Sequence, residues 1–337
     1  MPVASIIILN WNGKHHLPDC LASLEQQTYR DFECVLVDNG SSDGSGDYIR
    51  QFYPWVKLVC LDKNSGFAAG NVIALSYCLG SYIITLNNDT ILEPQWLEEI
   101  VKVADDNPLA GMIASRICSA KDHDIIDSLG IKICLDGMSR GAFRNQKYSA
   151  LREIPSEILC PSACAGLYRR EMINQVGFFD ESFFAYCEDT DLGLRCRRAG
   201  WKALLAEKAV VYHKYSASFG AFSPFKLYLV ERNHFWTLFK NFPAILVILF
   251  PVLTAFRYLL QFLLLLKNDG VGRNFRENSS QWSCLFAFAK GLLHGLIGIY
   301  TIFSVKSASN FWPDKVDFEF MKLLLAHKLS FKELLGE

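Results

Sequence analysis

Short apolar runs punctuate the first third of the chain, and each stops at a cluster of Asn, Asp, Gly or Ser. Val3 to Leu9 ends in Asn10-Trp11-Asn12-Gly13, and Phe32 to Val37 ends in Asp38-Asn39-Gly40-Ser41-Ser42-Asp43-Gly44-Ser45. Val56 to Leu61 precedes Asn64-Ser65-Gly66-Phe67-Ala68-Ala69-Gly70-Asn71, and Tyr82 to Leu86 precedes Asn87-Asn88-Asp89. Continuous runs of this length fit strands buried on both faces, and an intervening segment carries Leu17, Leu21 and Leu24 at helical spacing. Strand, polar loop, helix and strand make a βαβ unit, so the pattern predicts an α/β fold. Ligands of open parallel sheets gather at the carboxyl ends of the strands, which puts Asn10, Asn12 and Asp38 along one crevice.

Several function classes lose support at once. Neither GxGxxG nor GxxxxGK[ST] occurs, which argues against a dinucleotide oxidoreductase or a P-loop enzyme. Thirty-four basic and 35 acidic side chains leave a net charge of −1, so no nucleic-acid partner is expected. The 11 cysteines include no CxxC pair; Cys160 and Cys164 are spaced like ligands but lack a second pair. They read as buried reduced thiols, pointing to the cytosol. The opening MPVASIIILNWNG has no basic n-region and reads as a first strand, not a signal peptide.

Small residues from Asn64 to Asn71 permit close backbone approach to a ligand, and equally suit a tight turn. Asn87-Asn88-Asp89 offers hard oxygen ligands of the kind Mg2+ or Mn2+ takes beside substrate phosphates, although Asn-Asp pairs also make ordinary turns. Gly111 to Ser115 is expected as a fifth strand. The pattern loosens from Arg116 to Pro161, with a possible strand at Ile131–Leu135 and a polar loop over 139–152. A strand from Cys164 then passes into a helix ending at Gly177.

The segment from Gly177 to His213 crowds acids between aromatic patches. Leu192, Cys196 and Ala199 predict a helix from about Asp189 to Ala199, closed by Gly200, with Glu188, Asp189 and Asp191 at its positive end. Capping explains one acid, at about 0.3–1 kcal/mol, but three close together repel and read as a site. A carboxylate held ionised at a helix N-terminus suits proton removal from an alcohol, and Asp189 is the expected base. Arg195, Arg197 and Arg198 read as solvated helix charges. Trp201–Leu205 and Val210–Tyr212 are expected as two short strands, with His213 ending the second.

IIILNWNG, VDNGSSDGS, N-SGFAAGN, LNND and FFDESFFAYCEDTDLGLRCRRAGW followed by VVYH stand in the order found in family 2 glycosyltransferases. The chain resembles that family over about residues 3–213, particularly its bacterial rhamnosyltransferase-like branch. The resemblance implies a GT-A fold with a mixed Rossmann-like sheet and an inverting mechanism using a nucleoside diphosphate sugar. It implies a donor site drawing on Asn10, Asn12, Asp38, Asn64, Gly66, Asn71, Asn87 and Asn88, with Asp38 on the base. Asp89 occupies the metal position of the family's DXD motif, His213 completes the divalent-cation site, and Asp189 is the general base beside Glu188 and Asp191. Asn87 replaces the first acid of DXD, and Val72 stands where many relatives carry a second Asn. Two other readings compete: a nucleotidyltransferase, disfavoured by NWNGK in the first loop, and a catalytically silent membrane scaffold whose acids are only caps.

Composition shifts after about Ser216. Asn241–Phe256, interrupted by Arg257 and continued by Tyr258–Leu266, is strongly apolar, as is Trp282–Ser304. Crossing a bilayer takes about 20 such residues, and an arginine at its centre costs about 2.5–3.5 kcal/mol on insertion scales. The charged loop Lys267–Arg276 favours helices lying in the interface, with a spanning hairpin or a soluble tail as alternatives. Lys315–Leu335 reads as a final amphipathic helix. The expected organisation is a catalytic domain over 1–215, with a donor half to 115 and an acceptor half from 116, then a membrane-associated helical region over 216–337. That arrangement points to a polyprenyl-linked glycan acceptor at the cytoplasmic face of a bacterial membrane. Asp89 and Asp189 should border one cavity.

Overall fold

The computed structural model describes residues 2–214, 223–266, 281–305, 318–330 and 333. The chain divides into two compact units, one of residues 1–131 and 141–218, the other of residues 132–140 and 219–337. Residues 132–140 therefore belong with the tail, a grouping that the linear boundary at 215 does not anticipate.

The first unit is built on a nine-stranded mixed sheet. β1 (Ala4–Asn10), β2 (Phe32–Asp38), β3 (Lys57–Cys60) and β4 (Tyr82–Asn87) are parallel, in the order β3-β2-β1-β4. The helices α1 (Leu17–Glu25), α2 (Ser45–Phe52) and α3 (Phe67–Leu75) connect them. β5 (Thr90–Leu92), α4 (Trp96–Asp106), β6 (Ala110–Ser119) and β7 (Ile126–Ser128) follow. β8 (Ile131–Ile133) and β9 (Ser139–Gly141) pair apart from the main sheet. β10 (Ala165–Arg169) lies antiparallel between β4 and β6, β11 (Lys202–His213) runs parallel to β6, and β5 closes the order antiparallel to β11. This is the GT-A-like α/β architecture expected from the motifs.

One core holds the sheet to its helices: Ile6, Ile8, Leu36 and Ile84 pack with Leu17, Leu21 and Leu24 of α1 and with Trp96, Leu97 and Ile100 of α4. Each such side chain contributes about 1.5–3 kcal/mol on burial. Trp96 satisfies its indole N–H on the Ser115 hydroxyl at 2.8 Å. With the strands fixed, their carboxyl ends converge as the loops after β1, β2 and β4.

Local expectations were adjusted in three places. The two short strands before His213 are one strand, because a register shift between Ala206 and Val210 absorbs the polar Glu207-Lys208 without ending the pairing. The polar stretch 139–152 contains β9 and a 3-10 turn at Tyr148–Ala150. The helix after Gly66 stops at Leu75, short of Leu79.

The second unit contains α7 (Pro224–Asn241), α8 (Ala244–Leu266), α9 (Gln281–Val305) and α10 (Phe318–Ala326). Among the described residues no helix is long and apolar enough to cross a membrane. Arg257, an interruption in the sequence pattern, is 3% exposed and ion-paired to Asp136 at 2.6 Å. It therefore faces protein, and the lipid penalty assigned to it does not apply. Lys267–Arg276, Ser216 and Lys315–Asp317 lie outside the described residues.

Candidate active site

The loops at the strand ends are tied to one another through their amides. Asn88 donates from Nδ2 to Asn10 Oδ1 at 2.7 Å, and Asn10 Nδ2 donates to the Ser41 hydroxyl at 3.3 Å. Asn12 accepts from the Ser42 amide at 2.8 Å while its own amide donates to Ser41 Oγ at 2.9 Å. Asp38, buried at the end of β2, accepts from the Ser41 amide at 3.3 Å. Asn10 and Asn88 are thus buried struts that hold the donor-side loops, while Asn12 is exposed and Asn87 half-buried at the rim.

The Asn64–Asn71 loop has a protein partner of its own. Gly66 has φ +89°, and a Cβ there would lie 2.5 Å from the Phe184 carbonyl oxygen. That carbonyl accepts the Ala68 amide at 3.0 Å, so the open space at Gly66 admits the aromatic segment, not only a ligand. Asn64 Oδ1 accepts the Gly66 amide at 2.8 Å, and buried Asn71 donates back to the Phe67 carbonyl at 2.9 Å. Both contacts brace the loop.

Beyond Phe184 the backbone is strained. Phe184, Tyr186 and Cys187 have φ values of +65°, +69° and +68°, a conformation costing about 1–3 kcal/mol per non-glycine residue and often kept for function. Cys187 is the N-cap of α6 (Glu188–Arg198) and makes no side-chain cap bond, so the acids occupy the first turn. Packing below is tight: a Cβ on Gly193 would fall 2.2 Å from Cys160 Cβ. Cys160 is therefore a packing residue.

The acids of that turn have three different environments. Asp191 is fully buried and bonds Arg195 Nε at 2.9 Å; the same guanidinium donates to the carbonyls of Val176, Gly177 and Phe178 at 2.6, 3.3 and 2.7 Å. Arg195 is therefore not a solvated charge: it pairs with Asp191 and ties down the three carbonyls before the aromatic loop. Arg197 is also buried, paired with Glu157. Glu188 is buried with Oε2 lacking a hydrogen-bond partner, and burial together with the neighbouring Asp189 charge pushes its pKa well up. Asp189 retains some exposure. Its Oδ2 accepts the Ala163 amide at 3.2 Å and Oδ1 the Thr190 amide at 2.7 Å. Burial raises its pKa despite these bonds, so the ionised form is less favoured than its helix position alone implies and a stronger base when formed.

The turn that reaches Asp189 also reaches the end of β4. Cys164, adjacent to Ala163, accepts the Asn87 amide on its carbonyl at 2.8 Å, which ties that turn to the end of β4 two residues before Asp89. His213 Nε2 lies 3.2 Å from Asp89 Oδ1, and its Nδ1 lies 2.7 Å from Asp127 Oδ2. Burial disfavours the imidazolium, but Cys164, Asp127 and Asp89 outweigh it and hold His213 well above its ordinary pKa. Consecutive Cα atoms are about 3.8 Å apart, so Ala163-Cys164 brings the base candidate and the end of β4, which precedes Asp89, around one turn.

Among the described residues no three His, Cys, Asp or Glu side chains form a metal-holding group. Asp89 and His213 supply a carboxylate and an imidazole, a donor pair that fits Mg2+ or Mn2+ when substrate phosphates fill the other positions.

The profile described as glycosyl transferase family 2 matches residues 5–177, more than half of the chain. The chain belongs to glycosyltransferase family 2. It is 31% identical over 244 residues to the N-acetylglucosaminyl-diphospho-decaprenol L-rhamnosyltransferase of Mycobacterium tuberculosis, covering 65% of this chain and 78% of that protein. Among solved structures, GalNAc-T7 with UDP, GalNAc and Mn2+ superposes with a TM-score of 0.55 over 69% of this chain and 47% of that chain, at 17% identity. Mannosyltransferase PcManGT of Pyrobaculum calidifontis, in complex with GDP-Man and Mn2+, gives 0.53 over 99% of this chain and 86% of that chain, at 14% identity. These two share the fold.

In this family 2 glycosyltransferase, sequence reasoning missed Asp127, Arg144 and Ala163. Asp127 and Arg144 lie in the stretch where periodicity fades, and Ala163 acts through its backbone amide, which leaves no trace in residue type.

Proposed function

We propose that the protein is an inverting glycosyltransferase that moves a sugar from a nucleoside diphosphate to a hydroxyl of a growing, polyprenyl-linked surface glycan. Rhamnose from dTDP-rhamnose is the first choice and a UDP-hexose the second. The observation carrying this reading is the Ala163-Cys164 turn, whose Ala163 amide bonds Asp189 and whose Cys164 carbonyl takes the Asn87 amide, two residues before Asp89. The printed name of the mycobacterial relative supports both the sugar and the lipid-linked acceptor.

Asp189 takes the proton of the acceptor hydroxyl, and the oxygen attacks the anomeric carbon opposite the departing nucleoside diphosphate, inverting that centre. Asp38 and Asn12 line the nucleoside end, and the Asn10–Asn88 contact keeps the loops set before substrate arrives, so less entropy is lost on binding. Asp89 and His213 would hold Mg2+ or Mn2+, whose charge stabilises the leaving diphosphate. Burial and the Asp189 charge push the Glu188 pKa well up, so Glu188 resists carrying a second charge beside Asp189.

Attachment to a membrane surface is part of the proposal. Ile245, Ile248, Val252, Phe256 and Leu259 recur on α8 at helical spacing and are 48%, 72%, 69%, 49% and 53% exposed. Trp282, Leu285, Phe286, Leu293 and Ile297 do the same on α9, with Trp282 80% exposed. Exposed apolar stripes of this extent mark contact surfaces, and helices with one apolar face lie in the bilayer interface. Arg257 points the other way, into its own unit. The catalytic unit would work at the cytoplasmic face of a bacterial cytoplasmic membrane.

Two measurements test this. In a thermal-shift panel of nucleotide sugars with and without Mn2+, dTDP-rhamnose plus Mn2+ should give the largest rise; ligand at 100 times Kd stabilises by about 2.7 kcal/mol. Equal responses to all donors and to none would end the donor assignment. In flotation with anionic liposomes, the protein should rise with the lipid, and replacing Trp282, Phe286, Ile248 and Val252 together by Ser should leave it at the bottom. Parent protein that stays at the bottom removes the membrane element.

A further inference from the structure

Asp127 belongs to none of the motifs, yet it is locked in place from two directions. Its Oδ1 accepts Arg144 Nη2 at 2.8 Å and its main-chain oxygen accepts Arg144 Nε at 3.1 Å, so one guanidinium fixes both side chain and backbone. Its Oδ2 lies 2.7 Å from His213 Nδ1, and the side chain is 12% exposed. β7, which carries it, pairs with the same β6 that flanks β11, bringing the acid to the ring at the β11 terminus.

We propose that Asp127 is the positioning residue that makes His213 a cation ligand. It holds the ring proton on Nδ1, so that the Nε2 lone pair is presented toward Asp89. The inference rests on reading Asp89 and His213 as the pair that holds the divalent cation. A neutral imidazole carries one proton on either nitrogen, and a carboxylate against one of them decides which. The Nε2 lone pair and the Asp89 carboxylate repel each other unless positive charge lies between them. At 3.2 Å a proton or a cation must lie between them, and with the other proton held on Nδ1 a cation takes this position by displacing the proton of Nε2 to solvent. Arg144 keeps Asp127 aimed, which a carboxylate on a short strand would not maintain alone. Histidine ligands commonly donate their second N–H to such a carboxylate, and losing that partner typically weakens metal binding 10–100-fold.

The test is Mn2+ affinity of the full-length protein in the presence of dTDP, read from the free-Mn2+ EPR signal, for the parent, Asp127→Ala, Asp127→Asn and His213→Ala. Asp127→Ala should weaken Mn2+ binding about 10–100-fold, approaching His213→Ala. Asp127→Asn, whose amide oxygen still accepts from Nδ1 without the charge, should fall between, and its kcat should recover at saturating Mn2+. Circular dichroism and Tm identify folded variants, and the near-isosteric Asn variant guards against loss of fold in the Ala one. A merely structural acid would lower Tm and leave Mn2+ affinity intact; folded variants with the parent's affinity overturn the role. A parent that takes up no Mn2+ removes the cation-holding pair and this role with it, whereas uptake that Asp127→Asn leaves unchanged removes the role alone.

Discussion

Asp189→Asn is expected to lower kcat about 10²–10⁴-fold, the usual contribution of a positioned base, while donor binding by thermal shift stays at the parent's level. The substitution keeps size and shape, but its single amide oxygen can keep either the Ala163 or the Thr190 bond and not both, so Tm is measured alongside kcat to confirm that the turn holds. Two neighbouring substitutions make the result specific. Glu188→Gln replaces a buried carboxyl whose pKa is already pushed well up with a neutral isostere, and should change kcat far less. Asp191→Asn weakens the buried bond to Arg195 that secures three carbonyls, and should appear first as lost stability. Because burial raises the Asp189 pKa, the ascending limb of the kcat/KM profile should lie above the ordinary carboxylate range of about 4. Full turnover by Asp189→Asn, or equal losses in the Asn and Gln variants, would take the base role from Asp189.

Arg257→Met should destabilise the second unit by about 3–5 kcal/mol, the range for breaking one side of a buried ion pair. Arg257 lies among Asp136 at 2.6 Å, Glu231 at 3.8 Å and His234 Nε2 at 3.2 Å, all of them buried. Glu231 also accepts the Tyr258 hydroxyl at 2.7 Å. Removing the guanidinium leaves two acids buried with no comparable counter-charge, whereas Asp136→Asn with Arg257→Met should recover much of the loss. Urea unfolding of parent, single and double variants measures this, and a single variant as stable as the parent would show the pair to be inconsequential. The sign of the pH dependence follows. Burial alone would raise the Asp136 pKa, but Arg257 and His234 outweigh it and depress it. Its contribution is therefore complete above the unfolded value of about 3.9 and is lost as pH falls through the lower folded value.

The membrane expectation changed most between sequence and structure. Read linearly, Arg257 splits an apolar span and costs insertion energy. In the fold it turns inward to Asp136, 121 positions away, and Ile248, Val252, Phe256 and Leu259, spaced three and four apart on another side of α8, form the exposed apolar stripe. The interfacial proposal gains support from that placement, and it draws on side-chain direction, which hydropathy along the chain does not contain.

The sequence alone determined the sheet and the ends of its strands. Buried parallel strands need continuous apolar runs, and their loops need Asn, Asp and Gly, so both are written locally and were legible from Val3 to Asp89. The acids before α6 were legible for the same reason, since a helix start is a local event. Tertiary structure alone decided which of those acids is available: Asp191 goes to Arg195, Glu188 is sealed in, and Asp189 keeps an open side. It also decided the partners of His213, because Asp127 lies 86 positions earlier and reaches the ring only when β7 and β11 both pair with β6. Periodicity records which face of an element is buried; which side chain it meets across the sheet depends on strand order, and strand order is settled when the core packs.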